Sequence, residues 1–300
     1  LSDSFTVHMY EGKKYMLYVP SNYERDKKLP LMVMLHGCTQ NADDFATGTN
    51  MNVVAEENQF IVLYPEQHLS ANPNKCWNWF DKHHQKRGVG EPALIAGMVK
   101  EVKRVYAIDE NRVYVAGLSA GGAMSIVLGV TYPDVFSGIG VGAGLEYKAA
   151  TSVTQALAAM MKGGPDPVAQ GIKAYEAMGE FKKAMPIIIF QGSSDTVVAP
   201  INSDQVITQW ATTNDLVENG KIDGWIHDKE VEIIHGEVPF GKNYTAYKYK
   251  SEDGTVLLEK YIIEEMGHAW SGGKEEGTYT DPTGIDASRM MWEFFDKIHD

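Results

Sequence analysis

The chain contains no apolar run approaching the ~20 residues that a helix needs to cross a bilayer, so no membrane span is expected. Positive charge is scarce: 27 Lys and Arg stand against 40 Asp and Glu, a formal net charge of −13. That balance repels phosphate backbones and anionic surfaces, which removes nucleic acid as an expected partner and favours a neutral or apolar one. Cysteine is nearly absent; Cys38 and Cys76, taken alone, read as two unrelated small buried residues. There is no H-E-x-x-H, no C-x-x-C and no phosphate-binding loop, so neither a metal nor an organic cofactor is expected. Repeats, low-complexity tracts and Pro- or Ser-rich linkers are also missing, and residues 1–300 are expected to form a single domain. The opening Leu1-Ser2-Asp3 has neither an initiator methionine nor a signal-peptide pattern, which leads us to expect a chain cut from a longer one.

What is present is a soluble composition, 44% hydrophobic and 22% charged, with enough apolar residues for a large core. Lys14–Val19 reads as a strand, and Leu31–Leu35 and Phe60–Tyr64 are short apolar runs of the kind buried in parallel sheets. A helical period covers Glu91–Tyr106, followed by a strand at Arg112–Ala116, a glycine-bounded turn and a helix from about Ala120 to Val130. A strand at Gly138–Gly142 precedes a mostly helical insertion at about 146–184. Then come a strand at Pro186–Gln191, a helix at about Asn202–Thr212, strands at Val231–His235, Thr245–Tyr249 and Val256–Ile263, and a closing helix at Asp286–Ile298. This alternation predicts an α/β fold, a mostly parallel central sheet with helices on both faces. In such sheets chemistry gathers at the carboxyl ends of the strands.

Gly117-Leu118-Ser119-Ala120-Gly121 is a G-x-S-x-G pentapeptide set between a strand and a helix. A serine hydroxyl becomes a nucleophile only when a base takes its proton and a tight turn presents it, and small flanks are needed because side chains there would collide with the neighbouring backbone. Ser119 is therefore the expected nucleophile. In α/β-hydrolases the acid and then the histidine follow the serine in sequence. Asp195, in Gly192-Ser193-Ser194-Asp195 after a buried strand, is the expected acid, while Asp215, Asp223 and Asp228 are expected at the solvated surface. His268, on a glycine-rich loop after Lys260–Ile263, is the expected base; His227, His235 and His299 are expected to be structural or solvated, and His83-His84 superficial. An oxyanion needs two backbone N–H donors, expected from Ala120 and from Cys38 in His36-Gly37-Cys38-Thr39-Gln40. Gly138, Gly140, Gly142 and Gly144 are read as allowing close packing beneath the site.

With those residues in hand, the chain resembles the poly(3-hydroxybutyrate) depolymerase family of esterases, relatives of some feruloyl and acetylxylan esterases. The resemblance runs from about Leu29 onward. It rests on Leu35-His36-Gly37-Cys38-Thr39-Gln40, Cys76-Trp77-Asn78-Trp79-Phe80, the Ser119 pentapeptide with Gly122, Gly192-Ser193-Ser194-Asp195 and Gly267-His268-Ala269-Trp270-Ser271-Gly272-Gly273. It implies an α/β-hydrolase with Ser119, Asp195 and His268 as triad and Cys38 and Ala120 as oxyanion donors, cleaving poly(3-hydroxybutyrate) or its oligomers through an acyl-enzyme.

The resemblance also brings Cys38 and Cys76 near one site, so a disulfide and two separate thiols both stay open; a disulfide would not persist in a reducing cytoplasm. Secreted and granule-associated locations are both left open. Trp77, Trp79 and Trp270 are expected to line a groove for an apolar chain, with core packing as the alternative; Trp210, Trp225 and Trp292 are expected to pack or to lie at the surface. Many family members carry a linker and a polymer-adsorbing domain, and finding neither here leads us to expect amorphous granules or oligomers as substrate. Feruloyl or acetylxylan ester hydrolysis is the rival activity, and a non-catalytic binding protein of hydrolase shape the rival class.

Overall fold

The computed structural model describes residues 4–299; Leu1–Asp3 and Asp300 lie outside them. Twelve strands and eight α-helices follow one another along these residues. The strands are β1 (Phe5–Tyr10), β2 (Lys13–Tyr18), β3 (Leu29–Leu35), β4 (Ile61–Pro65), β5 (Ile108–Leu118), β6 (Ile139–Gly142), β7 (Ile187–Gly192), β8 (Glu232–Glu237), β9 (Asn243–Lys250), β10 (Val256–Ile263), β11 (Trp270–Ser271) and β12 (Thr280–Asp281). The helices are α1 (Ala42–Thr49), α2 (Met51–Asn58), α3 (Gly90–Val105), α4 (Ala120–Thr131), α5 (Val153–Lys162), α6 (Pro167–Met178), α7 (Ile201–Asn219) and α8 (Ala287–Ile298).

Ten strands form one sheet in the order β1-β2-β4-β3-β5-β6-β7-β10-β9-β8. The run from β4 to β10 is parallel, and an antiparallel pair closes each edge. β3 and β4 are buried along their whole length, as apolar strands covered on both faces must be. Because side chains alternate across a strand, β3 feeds two cores. Leu31, Val33 and Leu35 join a cluster with residues of α3, α4 and α7, whereas Met32 and Met34 join a second with residues of α1, α2 and α8. The fold is α/β, as the alternation of elements predicts.

Some expectations are revised. The edge strand β1 and the short helices α1 and α2 carry no strong period and were not expected. Asp215 is buried rather than solvated: its carboxylate accepts from the backbone N–H groups of Asp223, Gly224 and Trp225 and so caps the turn after α7. His83 is exposed, but His84 is half-buried and accepts from the Glu91 N–H at the start of α3. The alternating glycines do serve packing. A Cβ at Gly140 would strike Met291, and one at Gly142 would press on the Trp270 ring.

Helices α5 and α6 fall between β6 and β7. At the entrance to this segment Glu146 is buried with both carboxyl oxygens unpaired among the described residues, and a Cβ at Gly164 would lie 2.9 Å from one of them. Burial, aided by the charge of Asp166, pushes its pKa up to about 9. The folded chain therefore keeps a proton that the unfolded chain loses above its ordinary carboxylate pKa, so this group drains stability as pH rises from about 4.5 to 9. Glu146→Gln, which cannot ionise, is expected to raise the urea midpoint at pH 8 by an equivalent of about 4–5 kcal/mol while changing it by under about 1 kcal/mol at pH 5. An equal offset at both pH values would contradict this account.

Candidate active site

Ser119 sits where β5 turns into α4, with φ 58° and ψ −116°, a region costing a non-glycine residue about 1–3 kcal/mol. The turn survives because backbone packs on backbone around it. A Cβ at Gly117 would overlap Gly121, and one at Gly121 would overlap the carbonyl oxygens of Leu35 and His36. The Ser119 N–H is held by the Gly142 carbonyl at 2.7 Å, which ties this serine to β6.

Asp195 follows β7 and His268 follows β10, parallel neighbours in the sheet. Their loops are stitched together by Ser193 N–H to Ile263 O and Ser194 N–H to Met266 O, each 2.9 Å. Gly192 permits the stitch, since a Cβ there would overlap the carbonyl oxygens of Met266 and Gly267. His268 Nδ1 lies 2.8 Å from Asp195 Oδ2, so that nitrogen donates and Nε2 is left as the acceptor. The other Asp195 oxygen accepts from the Val197 and Val198 N–H groups at 2.9 Å, and Gln191 Nε2 donates to Oδ2 at 3.2 Å. Burial alone would raise the Asp195 pKa; the bond and charge of His268 and the two backbone amides outweigh it and hold the group below its ordinary range. Ser119 and His268 line the same cavity, though among the described residues no hydrogen bond joins the hydroxyl to the ring. Such bonds commonly tighten only once substrate is bound.

The loop after β3 packs against the Ser119 turn and lines the same cavity. Cys38 is joined to Cys76 by a disulfide, which closes the alternative of two separate thiols. His36 is fully buried beneath the loop, accepting from Gln67 N–H at Nε2 (3.0 Å) and, by elimination of tautomers, donating from Nδ1 to Gly37 O (2.7 Å). Burial pushes its pKa down to about 4. Neither the Cys38 N–H nor the Ala120 N–H finds an acceptor among the described residues, and both residues line the cavity. The first N–H groups of a helix have no partner within it, which leaves the Ala120 donor open.

The cavity measures about 500 Å³. Its wall is largely apolar, with Leu145, Ala156, Leu157, Met160, Val198, Trp79 and Phe80, and Asn72, Asn74 and Tyr279 add polar groups. Of the three tryptophans expected there, Trp79 lines it and two do not. Trp77 is buried and donates from Nε1 to His36 O at 3.1 Å, so it props the loop from below. Trp270 is buried against Phe45 and donates to Ser288 Oγ, a core role. Residues the sequence did not flag include Gln191, the α5 wall and Tyr279, whose ring stands edge-on to His268 with centroids 6.3 Å apart. Among the described residues no group of three or more His, Cys, Asp or Glu side chains gathers as a metal site would, and no helix is long and apolar enough to cross a membrane.

Residues 13–225 match the family described as Esterase PHB depolymerase. The chain belongs to that family. It is 37% identical to poly(3-hydroxyalkanoate) depolymerase C of Paucimonas lemoignei, an alignment covering 94% of this chain and 66% of that protein. It is also 30% identical to feruloyl esterase B of Thermothelomyces thermophilus over 65% of this chain and 68% of that one. The chain thus spans about two thirds of the Paucimonas protein, and 54% of the poly(3-hydroxybutyrate) depolymerase of Ralstonia pickettii. Among solved structures, an acetyl xylan esterase from Aspergillus awamori superposes with a TM-score of 0.72 at 22% identity, covering 88% of this chain and 94% of that one, a likeness of fold.

The disulfide closes a loop over a sequence separation of 38 residues. By the chain-entropy argument its loss frees about 3–4 kcal/mol of unfolded-state entropy. Replacing both Cys38 and Cys76 by alanine is expected to lower the unfolding free energy by that amount in urea titration. A loss under about 1 kcal/mol would show the loop to be held by its hydrogen bonds alone.

Proposed function

We propose that this family member is a serine carboxylesterase that hydrolyses poly(3-hydroxyalkanoate) chains, poly(3-hydroxybutyrate) or its oligomers in particular. The observation that carries the reading is the convergence of Ser119, His268 and the Cys38 loop on one largely apolar cavity, with Asp195 bonded behind the histidine. His268 Nε2 takes the hydroxyl proton as Ser119 attacks the ester carbonyl. Asp195 orients the ring and stabilises the imidazolium. The N–H groups of Cys38 and Ala120 bind the oxyanion. The ester's alcohol end leaves with the proton from His268, and water, deprotonated by the same ring, then releases the acid and restores Ser119. The chain's own groups supply each of these steps without a cofactor. Residues 146–184, an insertion into a single catalytic domain, contribute Val153, Ala156, Leu157 and Met160 to the apolar lining.

The apolar wall suits the aliphatic backbone and side groups of such polyesters, burial of which is worth about 25 cal/mol per Å². Ala156 is the smallest of the α5 side chains lining the cavity, so a larger side chain there would narrow it.

The test is release of soluble 3-hydroxy acid from amorphous poly(3-hydroxybutyrate) granules, beside methyl ferulate and acetylated xylan. Granule hydrolysis is expected, with Ser119→Ala lowering kcat by a factor on the order of 10⁶. Turnover of ferulate or acetylxylan with inert granules would move the substrate to plant polysaccharide. An active Ser119→Ala variant would overturn the mechanism. A second expectation concerns Ala156→Leu: kcat/KM for p-nitrophenyl hexanoate should fall about tenfold or more relative to the acetate. An equal effect on both esters would take Ala156 out of the acyl subsite.

A further inference from the structure

The turn that carries the Cys38 N–H is closed twice by one residue. Gln40 N–H donates to Gly37 O at 3.3 Å, and Gly37 N–H donates to Gln40 Oε1 at 2.7 Å. Between them Thr39 is held at φ 67°, the third position of a four-residue turn where glycine or asparagine is usual. A β-branched residue there is strained and relaxes unless the surroundings over-determine it. The turn lies on the nucleophile, since a Cβ at Gly37 would be 3.2 Å from Leu118 O and 3.7 Å from Ser119 Cβ. A small relaxation would therefore move an oxyanion donor relative to the attacking serine.

The other end of the Gln40 amide reaches a different part of the chain. Nε2 donates to Thr278 O at 3.1 Å and to Thr278 Oγ1 at 3.0 Å. Asp44 fixes that segment in turn, accepting from Thr278 N–H at 3.0 Å. Next to Thr278, Tyr279 stands edge-on to the His268 ring, and its carbonyl accepts from Trp270 N–H at 2.7 Å. Gln40 is 2% exposed. One buried carboxamide thus spans the oxyanion turn and the segment packed against the base.

We propose that Gln40 is a positioning residue that sets the oxyanion donor of the Cys38 turn against the base-bearing side of the site. The proposal rests on the hydrolase reading above and assigns it a part that acts through Gly37 and Thr278. Both ends of the amide are used: the oxygen must accept and the nitrogen must donate. Gln40→Met keeps the length and removes every hydrogen bond of the carboxamide. Gln40→Glu keeps the acceptor, but supplies a donor to Thr278 only when its carboxyl is protonated; ionised, it also faces Asp44, whose Oδ2 lies 3.4 Å from the present nitrogen.

The experiment is steady-state hydrolysis of p-nitrophenyl butyrate by wild type, Q40M and Q40E from pH 5 to 8, with each variant's thermal midpoint recorded. We expect Q40M to lose about 10–100-fold in kcat with KM within twofold, because the turn serves the transition state rather than substrate binding. The Q40E-to-wild-type ratio of kcat should climb at least fivefold as pH falls from 8 to 5, a signature that loss of stability alone does not produce. A folded Q40M with wild-type kcat, a loss confined to KM, or a pH-independent Q40E ratio would overturn the proposal. Should Q40M not fold, the Q40E ratio decides. Wild type inert on every ester would instead overturn the hydrolase reading, so the two failures are separable.

Discussion

Backbone contact without intervening side chains, where the end of β3 meets the turn from β5 into α4, is the constraint on which the site depends. The carbonyls of Leu35 and His36 occupy the space that a Cβ at Gly121 would need, and Gly121 in turn occupies that of Gly117. Two loops of different chemical duty, one presenting a hydroxyl and the other an N–H, are thereby set at a separation no side-chain rotamer can alter. The strain at Ser119 and at Thr39 is tolerable because both are clamped by this packing and by the hydrogen bonds around it.

Everything beneath the Cys38 loop works to the same end. His36, Trp77, Gln67 and Glu91 form a buried polar network: Gln67 donates to Glu91 and to the Cys76 carbonyl, and Asn78 donates to Glu91 from both its backbone and its side chain. A network so fully paired can be buried cheaply, whereas a half-paired one could not. The low pKa of His36 fits this, since a charged imidazole there would lose its acceptor role toward Gln67. The contrast is Glu146, buried with no partner and held neutral instead.

Much of the fold was legible because parallel strands advertise themselves. Leu31–Leu35, Ile187–Phe190 and the strand before Ser119 are apolar on both faces, and each runs into a turn that holds a glycine. Order along the chain then singled out Ser119, Asp195 and His268 as candidates, and the geometry brings Asp195 and His268 into contact. What stayed illegible was direction. A tryptophan next to a motif can point into the cavity, as Trp79 does, or under the loop, as Trp77 does, and sequence spacing is the same for both. Asp215 misled for a related reason: its partners are backbone amides of a turn eight to ten residues on, which leave no compositional trace. Gln40 acts through hydrogen bonds to the main chain of Gly37 and Thr278, and a glutamine in a polar loop looks like solvated surface until the loop is folded.

The missing side chain at Gly192 has a consequence at the level of the genetic code. Every single-base missense change of a glycine codon introduces at least a Cβ, and at this position that atom meets the carbonyls of Met266 and Gly267. Variation there forces the Asp195 loop and the His268 loop apart together, so a substitution at this one position displaces both.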